Sequence, residues 1–177
     1  MKRLETDRLI LRALSENDLD DFFNYCQKET VGPNAGWRPH QSIEESLRIL
    51  NMMISENEVW GIELKENNRL IGTIGLHVRN FDNALANRKE IGYVLDDTYW
   101  GYGFMTEAVN AVLDFAFNDL ELSEVVVGHA TTNLRSKRVI EKTGFIYTHV
   151  EERDHFDGTK IKIYMYQLTK ETWRNKK

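Results

Sequence analysis

Two glycines, Gly101 and Gly103, stand one residue apart between a half-polar strand pattern and a strongly amphipathic helix pattern. Glycine forms tight backbone turns easily, and its missing side chain lets a bulky ligand approach the main chain. The N–H groups and positive dipole end of the next helix would point back at this turn, and such a terminus binds phosphate without a cationic side chain. The spacing therefore predicts a pyrophosphate site. A ligand-free strand-to-helix connection is the alternative, because a lone glycine pair is weak evidence.

Hydrophobic periodicity around the turn predicts a mixed α/β domain with at least one parallel crossover. Strands are expected at 9–11, 59–64, 70–78, 88–95, 125–131, 145–151 and 160–168. Helices are expected at 15–26, 42–54, 105–116 and 133–143, and loops at 30–41 and 81–87. At 177 residues the chain is most simply a single domain over 1–177.

Composition narrows the function classes. The net charge of −5 argues against a nucleic-acid-binding surface and fits a cationic substrate. No apolar run is long enough to span a membrane and no signal core is visible, so we expect a soluble, cytoplasmic protein without a membrane partner. Cys26 falls on an apolar helix face, which favours a buried structural thiol. The five histidines show no zinc-like spacing, so no metal is expected.

Four separate segments together resemble the GNAT acyltransferases, and within them the RimJ/RimL-like branch. They are Glu5-Thr-Asp-Arg-Leu-Ile-Leu-Arg12, Lys89-Glu-Ile-Gly-Tyr93, Tyr99-Trp-Gly-Tyr-Gly-Phe-Met-Thr-Glu-Ala108 and Asn133-Leu-Arg-Ser-Lys-Arg-Val-Ile-Glu-Lys-Thr-Gly-Phe145. They occur in the family's order and span nearly the whole chain. The resemblance implies a central, mostly antiparallel sheet that splays between the predicted strands 88–95 and 125–131. It also implies acetyl transfer from acetyl-CoA to a small amine or a protein N-terminal amine.

The resemblance also implies which residues bind acetyl-CoA. Main-chain groups of the strand end would hold the pantetheine arm and the oxyanion, the turn would hold the pyrophosphate, and an asparagine would reach the pantetheine. These residues are Val94, Leu95, Gly101, Tyr102, Gly103, Phe104, Met105, Thr106 and Asn133. Asn133 has the simpler alternative of a helix N-cap. Thr106 replaces the third glycine of Gly-x-Gly-x-x-Gly, which disfavours a nicotinamide-binding turn.

Three positions depart from the family pattern. Trp100 stands where the family has Arg or Gln, and Met105 where it has Gly or Ala. Both changes should tune cofactor binding, because main-chain donors hold most of a pyrophosphate. Ile140 occupies the slot of a tyrosine that serves many relatives as general acid. That loss favours the competing hypothesis of a non-catalytic acyl-CoA-binding sensor.

Acyl transfer to an amine needs a neutral amine, a stabilised oxyanion and a protonated thiolate. Glu90 is the candidate base, on one strand face with Gly92 and Val94. A solvated strand acid is the alternative. Ser136 is the candidate for assisting the thiolate, since it shares a helix face with Asn133. A serine that only satisfies the helix backbone is its alternative.

The sequence offers fewer candidates for binding the acceptor amine than for binding acetyl-CoA. Trp37 either stacks on an acceptor amine or anchors its own loop on the core. Tyr164 and Tyr166 are candidates for reaching the acceptor from the last strand. The sequence does not distinguish a ribosomal-protein N-terminus from a polyamine, an amino acid or an antibiotic. It also leaves the oligomeric state open, including a homodimer.

Overall fold

A computed structural model describes residues 1–78 and 87–176 of the chain. Two compact units are distinguished: Met1–Gly75 with Tyr93–Ala108, and Leu76–Gly92 with Val109–Lys177. Eight strands form a mostly antiparallel sheet flanked by helices, which confirms the expected mixed α/β fold. Apart from Asn87, the loop expected at 81–87 lies outside the described residues.

The first unit contains four strands paired antiparallel in chain order. Its elements are β1 (Leu4–Glu5), β2 (Leu9–Ala13), α1 (Leu19–Cys26), α2 (Gly32–Ala35), α3 (Ile43–Glu56), β3 (Val59–Leu64) and β4 (Arg69–His77), of which the last two residues of β4 belong to the second unit. The strands expected at 59–64 and 70–78 correspond to β3 and β4, which pair antiparallel.

Apolar residues from α1 and α3 build the core of the first unit. Phe22, Tyr25 and Cys26 of α1 are buried together with Leu50 of α3. The buried thiol expected at Cys26 is therefore confirmed. Burial raises the pKa of Cys26, because the thiolate would lose its hydration.

Three local features of this unit differ from what the sequence pattern indicates. The stretch expected as a loop at 30–41 contains the short helix α2, which Gly36 ends in a left-handed conformation. In α3 the buried residues are Ser46 and Leu50, whereas the apolar Ile43 is 38% exposed. The two-residue strand β1 was not expected, because it is too short to show a periodic pattern.

Two elements run from one unit into the other: β5 (Arg88–Leu95) and α4 (Phe104–Asn118). On α4 the expected apolar face is buried, and it consists of Met105, Ala108, Val109, Val112 and Ala116. This helix connects β5 to a parallel strand, so the expected parallel crossover is confirmed.

The second unit contains β6 (Glu124–Ala130), α5 (Leu134–Thr143), β7 (Ile146–Asp154), β8 (Lys160–Thr169) and α6 (Lys170–Arg174), the last of which was not expected. The register of β5 with β6 joins Arg88–Glu90 to residues 124–126, at the start of both strands. Pairing of β6 with β8 is antiparallel and runs from Glu124 to Ala130. Within the described residues, no helix is both long and apolar enough to cross a membrane.

Candidate functional site

The glycine turn has the conformation that its sequence predicts. Gly101 has φ +87° and Gly103 has φ +82°, a region that side-chain-bearing residues rarely adopt. Among the described residues, a Cβ at Gly101 would meet nothing within 4 Å, and one at Gly103 would meet only an Arg8 nitrogen at 3.7 Å. Helix α4 begins directly after the turn, where the Glu107 N–H donates to the Gly103 carbonyl at 3.1 Å. The turn therefore leaves room for a ligand at the main chain.

A group of polar side chains fixes the segment that leads into the turn. Lys28 donates through Nζ to Asp96 at 2.5 Å and to Asp97 at 2.8 Å. The Asp96 carboxylate also caps the short 3-10 helix Asp97–Tyr99 by accepting from the Thr98 N–H at 3.0 Å. Burial opposes ionisation of Asp97, but hydrogen bonds from Lys28 and Thr30 outweigh it and lower its pKa to about 2. These bonds hold the approach to the glycine turn.

Trp100, in the slot where the family has Arg or Gln, fastens the turn to the end of β5. Its indole Nε1 donates to the Leu95 carbonyl at 2.9 Å. The same strand end lies against β4, because a Cβ on Gly72 would come within 2.3 Å of the Val94 carbonyl oxygen. Val94 and Leu95, the expected pantetheine and oxyanion residues, thus lie on a backbone segment fixed within the first unit.

Arg8 and Glu107 hold the turn from its other end. Arg8 donates through Nε to the Glu107 carboxylate at 2.7 Å and through Nη1 to the Tyr102 carbonyl at 3.0 Å. Its Nη2 forms an ion pair of 2.7 Å with the same carboxylate. Thr6 adds a hydroxyl bond of 2.5 Å to the same carboxylate. Burial opposes ionisation of Glu107, but these hydrogen bonds outweigh it and lower its pKa. Arg8 was not among the residues expected at the site, although its segment is one of the four that carry the resemblance.

The side chains of the turn differ in exposure. Tyr102 is 65% exposed, whereas Phe104 and Met105 are buried and anchor the first turn of α4. Thr106 is half-buried. A ligand at this place would therefore meet main-chain N–H groups and one exposed aromatic ring, which suits a phosphate next to a planar base.

Glu90, the candidate base, lies in the second unit and is only 14% exposed. Its Oε1 accepts a hydrogen bond of 3.1 Å from Arg153 Nη1. Arg153 also donates through Nε and Nη2 to Glu151. Glu90 is thus neither a solvated strand acid nor a carboxylate without a fixed position.

Asn133 and Ser136 are brought together at the start of α5. The Asn133 side chain accepts from the Ser136 backbone N–H at 3.1 Å, so Asn133 is the N-cap of this helix. Ser136 is half-buried, and Ile140, in the family's tyrosine slot, is fully buried. The cap uses the backbone of Ser136, so it assigns no task to the serine hydroxyl.

Tyr164 belongs to an aromatic group on β6, β7 and β8. Its ring contacts His129 at 5.6 Å and Tyr147 at 5.9 Å between centroids. The Tyr166 hydroxyl lies 3.3 Å from His129 Nε2, while Nδ1 lies 2.8 Å from the Ala130 carbonyl. Because a carbonyl only accepts, Nδ1 donates to Ala130, and Nε2 faces the Tyr166 hydroxyl. Burial raises the pKa of Tyr166.

Trp37 lies in the first unit and packs against its core cluster. Its ring lies 5.1 Å from that of His40, and a Cβ on Gly32 would come within 2.8 Å of the indole. These contacts are those of an anchor for the α2 segment, which was one of the two interpretations of Trp37. Within the described residues, no group of three or more His, Cys, Asp and Glu side chains is arranged to hold a metal ion.

Three comparisons relate this chain to known proteins. The family profile described as "Acetyltransferase (GNAT) domain" matches residues 8–146. The N-acetyltransferase YoaA of Bacillus subtilis (strain 168) is 32% identical over 176 residues, which cover 94% of this chain and 96% of that protein.

Two solved structures share the fold. The spermidine N-acetyltransferase of Vibrio cholerae, in complex with CoA and spermine, superposes with a TM-score of 0.78 at 22% identity and covers 96% of this chain and 100% of its own. The ribosomal-protein-S5-alanine acetyltransferase of Vibrio fischeri superposes with a TM-score of 0.75 at 21% identity, covering 98% and 99%. Together with the glycine turn at the start of α4, the profile match and the 32% identity to YoaA show that this chain belongs to the GNAT acetyltransferase family.

Proposed function

We propose that this acetyltransferase moves the acetyl group of acetyl-CoA to a primary amine, and that the segment from Gly101 to Thr106 binds the CoA pyrophosphate. The observation that carries the proposal is the glycine turn. Both glycines have positive φ, space is open above them, and α4 starts directly behind them. Main-chain N–H groups at a helix start suit a pyrophosphate.

The acceptor class follows from charge and from the relatives. A net charge of −5 attracts cationic acceptors, and both polyamines and protein N-termini are cationic near pH 7. Among proteins of the same fold, one is named for spermidine and another for the alanine of a ribosomal protein. We therefore propose a small polyamine or a protein N-terminal α-amine as the acceptor.

The chemistry we propose is direct attack of the neutral amine on the thioester carbonyl. Glu90 first takes a proton from the ammonium group, directly or through water. A C–N bond then forms, the C–S bond breaks, and the attacking nitrogen loses its second proton as the thiolate gains one. Alkylammonium groups have a pKa of about 10 and α-amines about 8, so a base is needed near pH 7. Main-chain groups of Val94 and Leu95 would stabilise the oxyanion. Ser136, or water in its place, would deliver a proton to the departing thiolate.

The first test is release of CoA thiol from acetyl-CoA in the presence of spermidine, of a peptide with a free N-terminal alanine, and of an aminoglycoside. We expect thiol release with at least one of the first two acceptors. A matched control peptide carries an acetylated N-terminus and lacks lysine, so it offers no amine and should release no thiol.

A non-catalytic sensor would behave differently. It would bind acetyl-CoA in a calorimetric titration, yet no amine would raise thiol release above the acceptor-free rate. That result would contradict acetyl transfer while leaving cofactor binding intact. Absence of acetyl-CoA binding would contradict the assignment of the glycine turn itself.

A further inference from the structure

Arg8 brings a cationic side chain into contact with the glycine turn. Its guanidinium reaches the turn from the start of β2 and donates to the Tyr102 carbonyl, which lies between the two glycines. A Cβ built on Gly103 would have Arg8 Nη2 at 3.7 Å, with no other atom of the structurally described chain beyond its sequence neighbours within 4 Å. The guanidinium therefore borders the space above the turn.

The position of this guanidinium is fixed by several contacts. The Glu107 carboxylate accepts from Arg8 Nε and forms an ion pair with Arg8 Nη2. The central carbon of the guanidinium lies 4.4 Å from the centroid of the Phe104 ring. The Arg8 backbone N–H also donates to Glu107, at 3.0 Å. A planar guanidinium held on one edge and stacked on a ring loses little further freedom when it binds a ligand.

The guanidinium also keeps hydrogen-bonding capacity. Arginine has five N–H bonds. The Nε–H donates to Glu107 and one N–H of Nη1 donates to Tyr102, while Nη2 is ion-paired with Glu107. The second N–H of Nη1 and at least one N–H of Nη2 have no other acceptor within residues 1–78 and 87–176. The Arg8 side chain is 45% exposed, so these donors are accessible to a ligand. Paired N–H groups of this kind match phosphate oxygens.

In the family pattern Arg or Gln occupies position 100, and this chain has no cationic side chain at that position. Trp100 occupies it, and its indole N–H is used to bind the Leu95 carbonyl. We propose that Arg8 is a phosphate-binding residue for CoA and supplies the cationic contact that Trp100 does not. This inference rests on the proposed binding of acetyl-CoA at the glycine turn.

The test compares two ligands in calorimetric titrations of the purified chain: CoA, which carries phosphates, and pantetheine, which does not. Arg8→Gln should weaken CoA binding roughly tenfold to a hundredfold, the range expected for charge-assisted hydrogen bonds, and leave pantetheine binding unchanged. Arg8→Lys keeps the charge without the fork, so its loss should be intermediate. CoA affinity of Arg8→Gln should also depend less steeply on salt.

Arg69→Gln is the matched control, because Arg69 is an exposed arginine of the same unit that pairs with Asp21. It removes the same charge, and CoA affinity should stay at the wild-type value. Should Arg8→Gln melt well below the wild type, Arg8→Lys carries the comparison, with a loss for CoA and none for pantetheine.

Three outcomes would decide against the inference or its basis. Unchanged CoA affinity in Arg8→Gln would overturn the role of Arg8. Equal weakening of CoA and pantetheine would also overturn it, since Arg8 would then only support the turn. If the wild-type chain bound no CoA at all, the proposed function would fail, and that result differs from both of the others.

Discussion

Arg153 holds Glu90 in place: its Nη1 donates to Glu90 Oε1 at 3.1 Å, and its Nε and Nη2 donate to Glu151 at 3.2 and 3.1 Å. One guanidinium on β7 thus joins carboxylates from β5 and β7. A glutamine at position 90 would keep an oxygen that accepts from Arg153, while it loses both the negative charge and the ability to accept a proton. A second variant is therefore needed to separate the lost ion pair from the lost base.

Glu90→Gln should lower the rate of acetyl transfer roughly 10²–10⁴-fold near pH 7, the usual cost of losing a positioned base. The loss should shrink as the pH approaches the pKa of the amine, because the acceptor then arrives neutral. Affinity for acetyl-CoA should hardly change. The pH–rate profile of both enzymes is the measurement.

Glu151→Gln is the control for Glu90, since it alters the other carboxylate on Arg153 and should leave the rate nearly unchanged. If Glu90→Gln and Glu151→Gln gave similar rates at every pH, Glu90 would be a structural partner of Arg153. The amine would then lose its proton to water or another group.

Gly103→Val should weaken CoA binding by adding a branched side chain where the pyrophosphate approaches. Because φ at Gly103 is +82°, valine also strains the turn, and the strain needs its own control. Gly158 has φ +84° and the same open surroundings in the β7–β8 hairpin, so Gly158→Val should show the strain without the loss of affinity. Equal calorimetric CoA affinity in the two variants would contradict the phosphate site at Gly103.

Sequence patterns correctly predicted the features of the fold that depend on residues close together in the chain. The apolar periodicity of α4 predicted an amphipathic helix, and its apolar face is buried. The spacing of Gly101 and Gly103 predicted the turn, because positive φ favours glycine. Apolar periodicity also placed Cys26 correctly. The short helix α2 was missed because its glycines and proline are typical of loops.

Contacts between residues far apart in the sequence could not be predicted from local patterns. Arg8 meets Glu107, and Glu90 meets Arg153, only once the strands are paired and α4 is in place. A charged residue in a strand has many potential partners, and the sequence alone does not choose between them. The side chains that position the candidate site were therefore the ones that sequence reasoning missed.

Substitutions of Asn133 and Ser136 should have different effects, the first on stability and the second on catalysis. Asn133→Ala removes the cap of α5 and should lower the free energy of unfolding by about 1 kcal/mol. The cap bonds the backbone N–H of Ser136, so Ser136→Ala should keep the cap of α5. If its hydroxyl assists the thiolate, Ser136→Ala should lower kcat more than acetyl-CoA affinity. Denaturant titration and steady-state rates measure both; an unaltered kcat would assign thiolate protonation to water.

His40 is predicted to make the stability of the protein depend on pH near neutrality. It is 7% exposed, and its Nδ1 lies 2.7 Å from the Ser46 hydroxyl. Burial lowers the pKa of His40 below its ordinary value of about 6.5, and Arg38 acts in the same direction while Glu45 opposes it. The folded chain therefore binds this proton less readily than the unfolded chain.

Since the unfolded state binds more protons below pH 6.5, the free energy of unfolding should fall as the pH drops from 7 to 5, by at most about 1.4 kcal/mol per pH unit. The loss stops below the pKa that His40 has in the folded state. Carboxylates such as Asp97, with a pKa of about 2, contribute their own loss only at lower pH. Urea titrations at each pH measure the effect, and His40→Gln, which keeps a partner for Ser46, should flatten it between pH 5 and 7. A variant as pH-sensitive as the wild type would place the dependence on another group.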